Sequence, residues 1–308
     1  MAQAFSAGRI ARAAGRLARR AGAAVTERKP RFPAQVLPAA TLRAQAVPER
    51  RGAAPVAAAA SLAAGGAGAA LRRPAAAQLS PATLTAAAFS VSSQEGARTR
   101  MVSRLAAAGN LRTPVLEAMR AVPRHAFIDS ALIAKAYEDN SLPIGFGQTI
   151  SKPMVVARML SLLLEAGTAA GGGIAGRVLE IGTGCGYQAA LLSRIAAEVY
   201  SIERVKGLHE RARDNLRPLR VANLHLLFGD GMQGYARGAP YAAIISAAGG
   251  EDIPQTWIDQ LAVGGRIIAP THADKGGQVL VVVDKTRTGI KRFALESVHF
   301  VPLKSGVD

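Results

Sequence analysis

The chain has 308 residues, a formal net charge of +17 and a single cysteine. This length allows one large domain or two small ones, and one cysteine excludes an intramolecular disulfide and a cysteine-based metal cluster. No apolar run reaches the roughly 18 residues of a membrane-spanning helix, and the histidines lack metal-ligand spacing. We therefore expect neither a membrane partner nor a bound metal.

The positive charge is concentrated in residues 1–96, which contain 13 Lys and Arg against 3 acidic residues. This segment is rich in Ala, Arg, Pro, Gly and Ser, so it cannot bury enough apolar area to offset chain entropy. We predict a disordered, low-complexity extension before a folded domain over 97–308. We interpret the extension as a solvated tail; a transit peptide and a basic arm for nucleic acid or membrane surfaces are the alternatives.

Residues 97–176 are predicted to hold helices and one glycine-bearing loop. Apolar spacing and start signals indicate helices at 98–108, 113–121 and 131–136, the second capped by Thr113. The stretch 142–151 is interpreted as the loop. Ser151 is then expected to cap a helix that runs to about Glu165, followed by a flexible linker over 166–176.

Residues 177–308 alternate strands with helices, which is typical of a parallel sheet covered on both faces. Strands are predicted at 177–181, 199–202, 224–228, 242–246 and 266–269, and helices at 188–196, 205–216 and 255–261. Gly264 and Gly265 are expected to form the turn into the fifth strand. Two last runs, 278–284 and 291–300, are predicted to form a hairpin. The predicted fold class is α/β, with a doubly wound, Rossmann-like sheet of seven strands that ends in an antiparallel hairpin.

A glycine motif follows the first of these strands. Residues 178–186 read VLEIGTGCG, and Glu203 ends the next strand 21 positions after Gly182. Glycines permit close approach of a ligand, and an acid at this spacing accepts hydrogen bonds from ribose hydroxyls. The third glycine comes one residue too early for a dinucleotide fingerprint, and Tyr187 follows it. The pattern E-x-G-x-G-x-G therefore favours S-adenosylmethionine (SAM), which has a ribose and no phosphate.

Two further acids have two interpretations each. Glu180 either faces the cationic amino-acid part of the cofactor or holds the loop from beneath. Asp230 either accepts a hydrogen bond from the adenine amino group or bonds its own turn backbone. Cys185 lies within the glycine turn, where a small side chain is required, and is interpreted as a packing residue.

Several blocks then resemble one family. Residues 144–151, IGFGQTIS, are similar to a segment peculiar to protein-L-isoaspartate O-methyltransferases, and 178–187 is similar to their SAM-binding motif. Blocks at 199–208, 228–234, 239–248 and 300–303 match in order and spacing. The resemblance implies methyl transfer from SAM to the free α-carboxylate of L-isoaspartyl residues in damaged proteins, which begins their repair.

The resemblance also implies an active-site residue, Ser151. Its alternative role is the helix N-cap, and both roles compete for one hydroxyl. Together, the resemblance and the glycine motif predict that these residues bind the cofactor: Gln148, Thr149, Ile150, Glu180, Gly182, Thr183, Gly184, Gly186, Glu203, Asp230 and Gly231.

Two other functions remain open on the sequence alone. One is a SAM-dependent methyltransferase of RNA or a small molecule, although residues 245–249 lack the aromatic side chain expected for stacking a base. The other is a non-catalytic, basic nucleic-acid binder. For the favoured function we expect a cytoplasmic monomer that binds isoaspartyl peptides and no specific nucleic acid.

Overall fold

The computed structural model describes residues 81–166, 172–273 and 276–308, with side chains from residue 93 onward. The predicted extension therefore lies outside the described residues up to residue 80. Six α-helices occur in the described part: α1 Pro81–Ala107, α2 Thr113–Ala121, α3 Pro153–Leu164, α4 Tyr187–Ile195, α5 Lys206–Leu216 and α6 Gln255–Gln260. None of them combines the length and apolar character needed to cross a bilayer.

Nine β-strands accompany these helices in the described residues. They are β1 Leu142–Gly145, β2 Gln148–Ile150, β3 Ile174–Ile181, β4 Ala196–Glu203, β5 Leu224–Phe228, β6 Tyr241–Ser246, β7 Leu261–His272, β8 Gln278–Thr286 and β9 Gly289–Val298. Strands β1 and β2 form a separate hairpin, and the other seven form one sheet. The predicted seven-stranded sheet is thus confirmed.

The sheet has the order β5-β4-β3-β6-β7-β8-β9. Its first five strands are parallel, while β8 pairs antiparallel with both β7 and β9, as predicted for the C-terminal hairpin. The chain leaves β3 towards β4 and β5 and then returns to β6 on the other side of β3. Such a reversal opens a crevice at the carboxyl ends of the strands, where ligands bind in sheets of this type.

The last four residues of β3, Val178–Ile181, are all buried. Val178, Leu179 and Ile181 are each at most 2 % exposed, because helices cover both faces of the sheet. Leu160 of α3 packs in the core on one face and Trp257 of α6 in the core on the other. The end of β3 is therefore held rigidly between two packed layers.

Several local predictions were wrong. The stretch 142–151, expected as a loop, contains the β1–β2 hairpin, whose turn residues Gly145, Phe146 and Gly147 all have positive φ. Helix α1 begins upstream of the predicted start at residue 98. Strand β3 begins inside the expected linker, and β7 runs through the expected turn at Gly264 and Gly265.

The predicted helix caps also differ by one residue. The N-cap of α2 is Arg112 instead of Thr113, and the N-cap of α3 is Lys152 instead of Ser151. Neither cap forms a side-chain hydrogen bond with the helix. In both cases the proline near the helix start fixes the first turn without the help of a capping side chain.

Candidate active site

A cavity of about 330 Å³ opens at the carboxyl ends of β3 and β4. This size lies in the range of small-molecule sites. Its walls come from the β1–β2 hairpin, the glycine turn after β3, the end of β4, the segment after β6, and a tail segment formed by residues 303–308. Nine of the predicted site residues line it: Gln148, Thr149, Ile150, Ser151, Gly182, Thr183, Gly184, Glu203 and Gly231.

The glycine turn adopts backbone conformations that other residues reach only with strain. Gly182, Gly184 and Gly186 have φ values of 87°, 57° and 91°. Gly186 is the N-cap of α4, and a Cβ there would lie 2.9 Å from Cδ1 of Leu216. Although Gly186 does not line the cavity, it allows α4 to start directly behind the turn.

The main-chain amides of this turn are bound within the protein. Those of Gly182 and Thr183 both donate to the carbonyl oxygen of Ile202, and the Gly186 amide donates to Thr183. The Gly184 amide donates to the Glu203 carboxylate at 2.8 Å. These four amides are therefore not available to a pyrophosphate, which agrees with a cofactor that carries none.

Glu203 is the acid predicted to bind a ribose. It is 5 % exposed, and its Oε2 accepts from Gly184 while its Oε1 accepts from the amide of Val205 at 2.9 Å. Each carboxylate oxygen has two lone pairs, so this pair of bonds fixes the carboxylate at the cavity wall and leaves acceptor capacity for a ligand.

Glu180 is fully buried and does not line the cavity. Its carboxyl group accepts hydrogen bonds from Ser201 and Gln188, and the Ser201 hydroxyl lies 2.6 Å from that of Thr183. Burial raises the pKa of Glu180 to about 8, against these hydrogen bonds, which lower it. Glu180 therefore holds the glycine turn from beneath through the side chains of Ser201 and Thr183, the arrangement considered as its alternative role.

Asp230 also lies outside the cavity lining. Its Oδ1 accepts from the amide of Met232 at 2.8 Å, which is the turn interaction considered as its alternative role, and its Oδ2 accepts from the Gly306 amide at 2.7 Å. Next to it, Gly231 lines the cavity, and a Cβ there would lie 2.5 Å from Ile181. The Gly231 carbonyl accepts from the indole Nε1 of Trp257 at 2.9 Å.

Ser151 follows β2 and lines the cavity. Because Lys152 caps α3, the expected competition between capping and catalysis does not arise. The Ser151 hydroxyl makes no hydrogen bond to any residue that the structure describes, whereas its carbonyl accepts from Arg124 at 2.8 Å. The side chain is therefore free to bind a ligand while its backbone is held.

The tail segment is attached across the end of β4. Arg204 donates to the carbonyl of Gly306 at 3.0 Å and pairs with the Asp308 carboxylate at 2.6 Å. The main chain of Asp308 bonds to Arg204 and Lys206. Since Asp308 also lines the cavity, this segment forms one of its walls.

Some residues at or beneath this site have no individual role in the predictions from sequence, among them Arg124, Phe146, Arg204 and Tyr187. Their positions depend on long-range packing, for which no spacing signal exists. Cys185, in contrast, matches its interpretation as a packing residue. It is buried, and burial raises the pKa of its thiol to about 11, so it is not an ionised nucleophile near neutral pH.

A reversed parallel sheet, a glycine turn whose amides are internally bound, and an acid at the end of the next strand define a class I SAM-dependent methyltransferase. The family model for protein-L-isoaspartate(D-aspartate) O-methyltransferases matches residues 96–308. The chain belongs to this family, and it is therefore a SAM-dependent protein repair methyltransferase. This decides against the two alternative functions that the sequence left open.

Relatives and solved structures agree. The protein-L-isoaspartate O-methyltransferase of Leptothrix cholodnii is 60 % identical over 214 residues, which cover 69 % of this chain and 75 % of the relative. That of Methylibium petroleiphilum is 59 % identical over 213 residues, covering 68 % and 78 %.

Among solved structures, a protein-L-isoaspartate O-methyltransferase superposes with a TM-score of 0.61 at 27 % identity, covering 68 % of this chain and 67 % of its own. A second structure, a protein-L-isoaspartate O-methyltransferase from Plasmodium falciparum described as putative, in complex with S-adenosyl-L-homocysteine, gives a TM-score of 0.58 at 25 % identity. That match covers 67 % of this chain and 97 % of the other.

Proposed function

We propose that Ser151 orients the isoaspartyl α-carboxylate for methyl transfer. The observation that carries this proposal is that Ser151 lines the cavity while its hydroxyl has no partner among the described residues. A serine hydroxyl can donate one hydrogen bond. Donation to one carboxylate oxygen fixes the substrate and leaves its other oxygen free to attack.

The chemistry requires orientation more than activation. An α-carboxylate has a reference pKa of about 3.5, so it is an ionised nucleophile at neutral pH without a general base. SAM supplies, when bound, a methyl group already activated on a sulfonium. Holding reacting atoms about 3–3.5 Å apart in a suitable geometry lowers a barrier by roughly 7–11 kcal/mol. The task of this chain's residues is therefore to fix two partners in place.

For the cofactor, the proposed contacts are those residues that both carry the motif and line the cavity. Glu203 accepts hydrogen bonds from ribose hydroxyls with the lone pairs that its two backbone amides leave free. Gly182 and Gly231 present backbone without side chains to the cavity. The second strand of the hairpin, Gln148–Ile150, covers the opposite wall. Glu180 and Asp230 support these elements without direct contact.

For the substrate, we propose an extended peptide along the rim between the hairpin and residues 300–303. Gly249 donates to the carbonyl of Val301 and accepts from the amide of Leu303, so this segment is held as a short strand beside the cavity. Val301, Leu303 and Phe146 line the same cavity, and the Phe146 side chain is exposed. Such a rim can bind the main chain and the displaced carboxylate of a substrate peptide while accepting many different side chains.

The test is transfer of labelled methyl from SAM to an isoaspartyl peptide and to its normal aspartyl twin. We expect labelling of the isoaspartyl peptide alone. Ser151→Ala should lower kcat while the SAM dissociation constant stays within about twofold, since the serine touches substrate. The matched control is Ser193→Ala, whose hydroxyl bonds within α4. Equal labelling of both peptides would contradict the substrate assignment. Loss of SAM binding in Ser151→Ala would contradict the proposed role of the serine.

We further propose that residues 97–308 form the catalytic domain and act as a cytoplasmic monomer without a specific nucleic-acid partner. The family match from residue 96 supports the boundary. Removing residues 1–96 should leave kcat unchanged, and light scattering should give the mass of one chain. An inactive truncated protein overturns the boundary, and salt-dependent DNA binding that disappears with residues 1–96 overturns the expectation about nucleic acid.

A further inference from the structure

Arg124 is a buried cation without a carboxylate partner. Its exposed fraction is 0 %, and none of the ion pairs in the described part of the chain includes it. Burial lowers the pKa of its guanidinium, against smaller opposing effects of nearby groups. Removing an ion from water costs several kcal/mol even after relaxation, and apolar side chains fill such a space as well or better. Packing alone therefore does not explain an arginine here.

The guanidinium joins the two ends of the β1–β2 hairpin. Its Nη2 donates to the carbonyl of Ser151 at 2.8 Å and to that of Asn140 at 3.4 Å. Asn140 lies just before β1 and Ser151 just after β2. Its Nε donates to the carbonyl of Ala136 at 2.9 Å. One side chain thus closes the base of the hairpin and ties it to the preceding helical turn.

The same guanidinium also contacts α4, the helix that follows the glycine turn. Its central carbon lies 5.1 Å from the ring centroid of Tyr187, a distance typical of a cation–π interaction. Tyr187 is the first residue of α4, follows the glycine turn and lines the cavity. The Arg124 Nη1 has no hydrogen-bond partner among the described residues. Arg124 therefore lies between the β1–β2 hairpin, which Ser151 follows, and helix α4, which follows the glycine turn.

We propose that Arg124 is a positioning residue for methyl transfer. It closes the base of the hairpin against Tyr187 and thereby fixes Ser151 relative to the glycine turn. Its effect on the reaction passes through Ser151. This proposal rests on the proposed role of that serine. Because a misplacement of about 1 Å can cost a hundredfold in rate, a backbone clamp at the orienting residue has a measurable effect on kcat.

The experiment is a double-mutant cycle with Arg124→Lys and Ser151→Ala. Lysine keeps the charge and lacks the planar fork that reaches several carbonyls at once. We expect Arg124→Lys to lower kcat at least about tenfold, with the SAM dissociation constant from calorimetry within about twofold of wild type. The double variant should be no slower than Ser151→Ala alone, since both changes remove one function.

Arg266→Lys is the matched structural control. Arg266 is also mostly buried, pairs with Asp284 at 2.6 Å and donates to the carbonyl of Leu162, and none of these three residues lines the cavity. We expect its replacement to lower the Tm and leave kcat unchanged. Should Arg124→Lys fail to fold by circular dichroism, Arg124→Met, which keeps the volume and removes the donors, enters the same cycle.

The outcomes separate the two proposals. Wild-type kcat in Arg124→Lys, or rate losses that multiply in the double variant, overturns the clamp. Wild-type kcat in Ser151→Ala overturns the proposed role of the serine by itself. If Arg124→Lys is slow while Ser151→Ala is not, coupling through the serine is overturned as well. A fall in the SAM affinity of Arg124→Lys that accounts for the lost rate also overturns the proposal, because it assigns Arg124 to cofactor binding.

Discussion

Replacing Glu203 by glutamine is the most direct test of how this carboxylate holds the glycine turn. In the wild type both carboxylate oxygens accept main-chain amides, from Gly184 at 2.8 Å and from Val205 at 2.9 Å. Glutamine offers one acceptor oxygen and one amino group, and an amino group cannot accept from an N–H. One of the two amides therefore loses its partner.

The size of the effect follows from the burial of the group. Glu203 is 5 % exposed, and a hydrogen bond to a charged group contributes about 1.5–3 kcal/mol. If the loss appears in binding, SAM affinity falls by roughly 10- to 150-fold. If part of the lost hydrogen-bond energy destabilises the folded protein without SAM, that part appears as a lower Tm. The larger share should appear in binding, since Gly184 lies in the cavity wall.

Calorimetric titration with SAM, paired with thermal unfolding in the presence and absence of SAM, measures both parts. Glu198→Gln is the control on the same strand, because Glu198 pairs with Arg177 at the surface, away from the cavity. It should bind SAM as the wild type does. An affinity of Glu203→Gln within twofold of wild type, with an unchanged Tm, refutes the reasoning.

Three further predictions concern residues around the glycine turn and the cavity. Glu180 has a folded-state pKa of about 8 against a usual 4.5, so unfolding releases its proton between about pH 5 and 8. The free energy of unfolding should fall with rising pH there by up to about 1.4 kcal/mol per unit. Glu180→Gln should flatten that slope in denaturant titrations, and parallel pH profiles would count against it. Gly231→Ala should lower the Tm and SAM affinity, because its Cβ would lie 2.5 Å from Ile181; Gly229→Ala, with 3.9 Å to its nearest neighbour, should be neutral, and equal effects would contradict this. Arg204→Gln should release the tail segment and speed SAM dissociation about two- to fivefold in stopped flow, less so at high salt; an unchanged rate at low salt would exclude the tail as a barrier.

The sheet was predictable from sequence because its signals are local. Alternating strands and helices, the glycine turn and the acid that ends the next strand each follow from short spacings, and their order along the chain is as expected, although some strand bounds differ. The turn amides bind Ile202, which belongs to the neighbouring strand. Parallel pairing of β3 with β4 is what brings these two motif halves together.

The details that failed depend on partners distant in sequence. Glycines suggested that 142–151 was a loop, but its main chain pairs with itself, and Arg211 donates to the carbonyl of Ile144 across 67 positions. Glu180 is buried beneath the glycine turn, and its motif position alone does not reveal which way its side chain points. Arg124 had no sequence signal, because its three acceptors are backbone carbonyls. Carbonyls are common to every residue type, so no pattern of letters indicates them.

The bond between Trp257 and Gly231 has a practical consequence. The chain contains a single tryptophan, and its buried indole is anchored to a carbonyl whose residue lies in the cavity wall. The tryptophan emission of the unmodified protein, when excited selectively over the tyrosines, thus arises from one place immediately behind the cavity wall. Occupancy of this pocket can accordingly be followed by intrinsic fluorescence, without a dye, a tag or turnover.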